Sequence, residues 1–219
     1  MNRTLHTLAL FSLVAAALGA ESNRDADKAG GAEKATRLFD GKTFKGWEGK
    51  REIFRIEDGA IVGGSLKKPI PNNEFLCTEK EYGDFELRLK CKLVGKGDNA
   101  GVQFRSRRIP NHHEVIGYQA DMGGGWWGKL YDESRRRRVL AGPDAGAIEK
   151  VVKTGDWNEY VIRCQGPRIQ IWLNGTQTVD FTEKDAKVAR RGVIGLQIHG
   201  GAPSEASYKD ITLRELGDE

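Results

Sequence analysis

The sequence predicts an all-β fold, a sandwich or barrel of antiparallel strands. Three observations carry this. About a dozen short segments alternate apolar and polar residues along the chain. Turn signals separate them, among them Asp58-Gly59, Gly166-Pro167 and Asn174-Gly175. No long stretch keeps the helical period of about 3.6.

The elements follow in order. Residues 1–20 read as a secretory signal: Arg3 supplies a positive start, Leu8–Leu18 an apolar run, and Ala17-Leu18-Gly19-Ala20 small residues for cleavage. The run is shorter than the ~20 residues that span a bilayer. Export to the periplasm or medium is expected, with no membrane attachment after cleavage; an uncleaved membrane anchor is the alternative, because Leu18 is an imperfect −3 residue for a cut after Ala20. Residues 21–36 are polar and lack a hydrophobic pattern, as in a disordered linker. The domain is expected over residues 37–219. Its strands are Ile53–Glu57, Ala60–Gly63, Phe75–Thr78, Asp84–Leu93, Gly101–Arg107, Val115–Met122 and Gly128–Tyr131. Asn158–Gln165, Arg168–Leu173, Thr176–Phe181, Val193–His199 and Ser207–Glu215 complete them. Cys91 and Cys164 fall in phase with apolar neighbours and read as small buried hydrophobes. Cys77 is free to pair with either of them or to stay reduced.

Strand phase points to a site. Val102, Phe104, Ile116, Tyr118, Met122, Ile194, Leu196 and Ile198 fall on apolar phases. Gln103, Arg105, Gln119, Asp121, Gln197 and His199 fall on the opposite ones. Glu86, Arg88, Lys90 and Lys92 alternate with the apolar set of their own strand. If these strands are neighbours in one sheet, that face is a polar groove; otherwise it is an ordinary wet face. The segment Gly117–Arg138 gathers Trp126, Tyr131, Asp132, Glu133 and Arg135–Arg138 around Gly123-Gly124-Gly125. Tryptophan faces stack on sugar rings, and carboxylates and guanidinium groups grip hydroxyls and carbonyls. A carbohydrate ligand is therefore expected. The net charge of +4 does not argue for a nucleic-acid partner. The triple glycine precedes no helix that could hold a nucleotide phosphate.

The blocks EYGDFELRLKCKL, DNAGVQFRS, GYQAD, GKLYDE, GDWNEYVIRCQGPRIQIWLNGTQTVDF, RGVIGLQIHGG and YKDITLREL occur in this order. They open with LFDGKTFKGW and together cover Leu38–Leu216. The chain thereby resembles the 3-keto-disaccharide hydrolase family, also described as 3-keto-glucoside 1,2-lyases and 3-keto-2-hydroxyglucal hydratases. The resemblance implies a concanavalin-like jelly roll and a 3-keto-glycoside substrate. It has departures. Asn99-Ala100-Gly101 stands where the family usually has Asn-Ser-Gly. Gly117-Tyr118-Gln119-Ala120-Asp121 stands where it often has Gly-Tyr-Glu-x-Gln, so a carboxylate and an amide have changed places.

That chemistry needs a base for the C2 proton, an acid for the leaving oxygen and a stabiliser for the enolate. His199 and Asp121 are the candidate bases, Arg105 the carbonyl or enolate clamp, and Tyr131 the proton donor. Gln103, Gln119, Trp126, Asp132, Glu133 and Gln197 are candidates for binding sugar hydroxyls. The adjacent His112 and His113 point apart on an extended chain and are expected in an exposed loop. A divalent metal suits Asp, Glu and His donors. No HExxH-type or Cys/His spacing marks its ligands, so no cofactor is assigned. A lectin-like binding module is the alternative to an enzyme. A conventional glycosidase ranks third, because the ExDxxE strand motif of jelly-roll glucanases is absent.

Overall fold

The structure, a computed structural model, describes residues 34–97, 99–144 and 146–217. The expected signal segment and all but the last three residues of the expected linker lie outside these. The fold is all-β, with two antiparallel sheets packed face to face. The strands are β1 (Thr36–Arg37), β2 (Trp47–Glu48), β3 (Phe54–Glu57), β4 (Ala60–Ser65), β5 (Glu74–Thr78), β6 (Phe85–Gly95), β7 (Asn99–Arg108) and β8 (Val115–Gly123). They continue as β9 (Leu130–Glu133), β10 (Val139–Ala141), β11 (Asn158–Gln165), β12 (Arg168–Leu173), β13 (Thr176–Thr182), β14 (Val193–Ile198) and β15 (Ser204–Glu215). A single 3-10 turn, Ile148–Lys150, is the one helical piece among the described residues.

The first sheet runs β13-β12-β11-β6-β15-β4-β3, with β1 pairing to β15. The second runs β10-β9-β8-β7-β14-β5-β2. Alternation builds the core between them: Phe85, Leu87, Leu89 and Cys91 of β6 meet Val102, Phe104, Tyr118, Ala120 and Leu196 from the second sheet. Two-residue turns close the hairpins where expected. Asp58 and Gly59 have φ of 49° and 72°, and Asn174 and Gly175 have 48° and 82°, the left-handed pair that suits the twist of antiparallel strands.

Two tyrosines cross the core from the first sheet to the backbone of the second. The Tyr208 hydroxyl reaches Gln197 O at 2.5 Å and Gly101 O at 3.1 Å. Tyr160 donates to Asp121 O and accepts from Gly128 N at 2.8 Å. Both anchor the strands from behind, under the residues that form the site. The three cysteines are free and buried, so none forms a disulfide.

Three expectations are corrected here. Strand β6 belongs to the first sheet, so Glu86, Arg88, Lys90 and Lys92 face away from the polar row of the second. Strand β9 starts two residues later than expected, because Gly128, at φ 76°, is still turning. Thr36, placed in the linker, pairs with Leu213. Among the described residues no helix is long and apolar enough to cross a membrane.

Candidate functional site

Gln103 and Gln119 sit opposite each other across β7 and β8, and Gln103 faces Gly195 on β14. One row along, Asp121 and Gln197 flank Gly101. By alternation all four project from the second sheet on the side opposite the sandwich core. They are nevertheless enclosed: Gln103 and Gln197 are 0% exposed, Asp121 1% and Gln119 2%. Two glycines make this packing possible. A Cβ on Gly101 would stand 2.5 Å from the Gln119 side chain, and one on Gly195 would stand 3.1 Å from Gln103 Cβ. The glutamines can therefore lie flat over the strands.

A one-way hydrogen-bond chain runs through them. Ser106 Oγ donates to Gln103 Oε1 at 2.7 Å, Gln103 Nε2 to Gln119 Oε1 at 2.8 Å, and Gln119 Nε2 to Asp121 Oδ1 at 2.5 Å. Each amide spends its carbonyl on one neighbour and its NH2 on the next, so the chain ends on the carboxyl. Asp121 Oδ2 has no hydrogen-bond partner among the described residues. The same holds for both amide atoms of Gln197, Asn99 Oδ1, His113 Nδ1 and Glu114 Oε2. A buried polar atom without a partner costs about 1–3 kcal/mol. Asp121, Gln197 and Asn99 fall in phase on one face, so that face offers polar atoms still open to hydrogen bonding.

Strand β9 adds the electrostatics. Tyr131 pairs with Gln119, and Glu133 with Gly117, so both share the face. Lys129 lies two residues before Tyr131 in the same phase. Burial pushes Asp121 from its ordinary 3.8 to about 8; the bond from Gln119 opposes this, the charge of Glu133 adds to it, and Lys129 also opposes it. Glu133 rises from 4.5 to about 7, first by burial and then by the nearby charge of Glu114. Tyr131 is raised by burial and by Glu133 and Asp121. Trp126 stands edge-on to Tyr131 with ring centroids 6.1 Å apart, and Lys129 lies over the tryptophan ring.

Two loops close the face. Asn73 Nδ2 donates to Glu114 Oε1 at 3.0 Å, and Asn73 Oδ1 accepts from Gly200 N at 2.9 Å. Beside them opens a cleft of about 560 Å³ whose lining includes Phe75, Asn72, His112 and His113. Phe75 is the cross-strand partner of Gln197, so the cleft leads toward the polar row. The two histidines sit in a loop, but they do not point apart as expected: their rings stack with centroids 4.4 Å apart, and His113 is half-buried.

The structure brings together Gln103, Gln119, Asp121, Gln197, Tyr131 and Glu133, with Trp126 at the edge. It places three other candidates elsewhere. The register of β7 shifts between Phe104 and Arg107, and Arg105 takes φ 46° there. The bulge turns Arg105 off the face and into the sandwich. Its guanidinium meets Gly83 O at 3.0 Å, Gly166 O at 2.8 Å and Asp84 Oδ1 at 2.6 Å. Asp132, between Tyr131 and Glu133, points the opposite way from both. It is fully buried against Arg135 and Arg136, and Arg136 continues to Glu183 at 2.5 Å. His199 lies one residue beyond β14, exposed, with Nδ1 2.6 Å from Gly200 O. It is outside the buried row.

Sequence reasoning missed Asn73, Asn99, Glu114 and Lys129. Lys129 and Asn99 were legible, since each is in phase with a residue already chosen. Asn73 and Glu114 arrive through loop packing, which alternation does not encode. Among the described residues no group of three or more His, Cys, Asp or Glu side chains is arranged to hold a metal ion.

Comparison with solved structures shows the same fold class. A candidate glycosyl hydrolase from Parabacteroides distasonis is 23% identical with a TM-score of 0.63, covering 84% of this chain and 100% of that one. A Bacillus subtilis protein of unknown function with a galectin-like fold is 12% identical with a TM-score of 0.60, covering 88% and 99%. The carbohydrate-binding module CBM66 from Bacillus subtilis is 15% identical with a TM-score of 0.55, covering 78% and 96%. Comparison with curated proteins gives no match. The family model for the 3-keto-alpha-glucoside-1,2-lyase-like domain matches residues 34–214. With that match spanning nearly all the described residues, the chain belongs to the 3-keto-alpha-glucoside-1,2-lyase-like domain family.

Proposed function

We propose that this chain is an enzyme that cleaves 3-keto-glycosides by elimination across C1 and C2, followed by hydration. Family membership ties it to carbohydrates. The observation that carries the finer reading is a pair of carboxyl groups, Asp121 and Glu133, on one enclosed polar face. Both are held near neutral pKa by burial. Acid–base catalysis near pH 7 needs such groups.

Between about pH 7 and 8 Asp121 keeps its proton and Glu133 has lost its own. Glu133 then takes the C2 proton, made acidic by the 3-keto group. The electron pair forms the C1–C2 double bond as the C1–O bond breaks, and Asp121 protonates the departing oxygen. In this proposal the enolate oxygen takes its hydrogen bonds from Lys129 or from the amide of Gln197, the donors available on this face. In the second half water adds to C1, giving a proton to ionised Asp121, and protonated Glu133 returns its proton to C2. Both groups are restored, and the net reaction is hydrolysis. Gln119, Gln103 and Ser106 act as positioning residues: their chain occupies Oδ1 of Asp121 and leaves Oδ2 for the substrate. We also propose, from the N-terminal segment, that the chain works after export.

The test is turnover of 3-keto-trehalose and related 3-keto-glycosides, with and without chelator. We expect kcat/KM to rise through about pH 7 and fall above about pH 8. Asp121→Asn and Glu133→Gln should each cost about 10²-fold or more in kcat, with little change in KM. Glycan binding without product release under any condition would instead make this a lectin-like module.

A further inference from the structure

A second cleft, of about 410 Å³, opens where β7 and β8 approach the 185–191 segment. Its lining includes Arg107, Ser106, Ile116, Arg135, Lys187 and Arg191. Neither Asp121 nor Glu133 lines it. We propose that this cleft binds the anionic group, a carboxylate or a sulfate, of a charged glycan.

The charge there is not balanced from within. Asp185 is the one acidic side chain in the lining, and its Oδ1 already accepts from the backbone N of Lys187. The Arg107 guanidinium and the Lys187 ammonium make no hydrogen bond or ion pair with any described residue. Arg191 Nη2 donates to the Glu81 carbonyl at 2.9 Å, but its charge meets the Glu81 carboxylate only at 4.0 Å, with both side chains more than half exposed, a weak pair. Arg135 is held on the ring of Tyr118, 4.6 Å away, and by Asp132. Like charges around one concavity repel, and an oxyanion relieves the repulsion while using the planar forks of the arginines. Ile116 and Val188 supply apolar wall for a sugar ring.

The β7 bulge makes this arrangement. The register shift between Phe104 and Arg107 that turns Arg105 inward leaves Arg107 outward and exposed. A neighbouring cleft of about 490 Å³ shares Arg191 and adds Arg190, another cation with no partner among the described residues. The basic surface therefore continues past one binding site, which suits a repeating anionic polymer. Neither lining holds an aromatic ring on which a nucleic-acid base could stack.

The experiment is a calorimetric titration of the intact protein with four probes of matched length. They are a galacturonate oligomer, a sulfated galactan oligomer, a neutral glucan oligomer and a single-stranded oligonucleotide. Each is run at low ionic strength and in about 0.5 M salt. The expected result is salt-sensitive binding of at least one anionic oligosaccharide, with the tighter arm telling carboxylate from sulfate. The double variant Arg107→Ala/Lys187→Ala should lose about tenfold or more of that affinity. Its melting temperature and its turnover of a neutral 3-keto-glycoside should be unchanged. Equal binding of charged and neutral oligomers, tighter binding of the oligonucleotide, or full affinity in the double variant would each overturn the proposal. None of these outcomes depends on the catalytic reading.

Discussion

At Asp121 function and stability pull in opposite directions. A carboxyl raised from 3.8 to about 8 favours folding most below its unfolded value, where both states are protonated. That advantage is lost as the pH climbs to about 8, because the unfolded chain ionises first. Asp121→Asn keeps the acceptor for Gln119 and removes the titration. Its melting temperature should therefore gain on the wild type between about pH 4 and pH 8 and stay level above that. Parallel thermal melts across that range check this, and a constant difference would mean that the carboxyl is not buried in solution. Gln119 and Asp121, two residues apart on the same face, are bonded to each other at 2.5 Å.

At the scale of elements, alternation located nearly every strand, because each half-buried strand repeats apolar residues at every second position. It failed where the period was interrupted. In Gly101–Arg107 the bulge leaves one mark, Ser106, a polar residue on the apolar phase of Val102 and Phe104, which by itself does not reveal an extra residue. The phase was therefore carried through to Arg105, and the structure turns that side chain away. Asp132 is a different case: its phase in the sequence is already opposite to that of Tyr131 and Glu133. Strands β1, β2 and β10 are too short to show any period. The bulge gives Arg105 a clear role. It joins the turn before β6 to the β11–β12 turn through Gly83, Asp84 and Gly166. Arg105→Met should cost about 3 kcal/mol or more in denaturant melts, since it strands the partly buried carboxylate of Asp84. Turnover per folded molecule should be retained, and a variant with normal stability and lost turnover would return Arg105 to the site.

At the scale of the molecule, the fold class and the pairing of most hairpins were legible, but the enclosure of the site was not. Nothing in the alternation of β14 says that Gln197 will be wholly covered. Beside it the loops carrying Asn73 and Glu114, distant in sequence, are tied to each other and to Gly200. The same whole-molecule packing encloses the thiols. Cys77 and Cys164 are pushed up to about 12 by burial, and Cys91 is raised further by the same cause. A thiol that is neither exposed nor ionised reacts slowly with alkylating reagents. Cys77 lies on the site side of the second sheet, whereas Cys91 and Cys164 lie in the first sheet on the core side. Labelling by iodoacetamide should therefore proceed at the rate at which the chain opens. Mass spectrometry of the three positions would then time each sheet separately. If Cys77 reacts well before Cys91 and Cys164, the loops over the site open while the sandwich stays shut. If all three react together, the protein opens as one cooperative unit. Without a covalent crosslink among its described residues, the molecule carries three built-in chemical clocks for its own breathing.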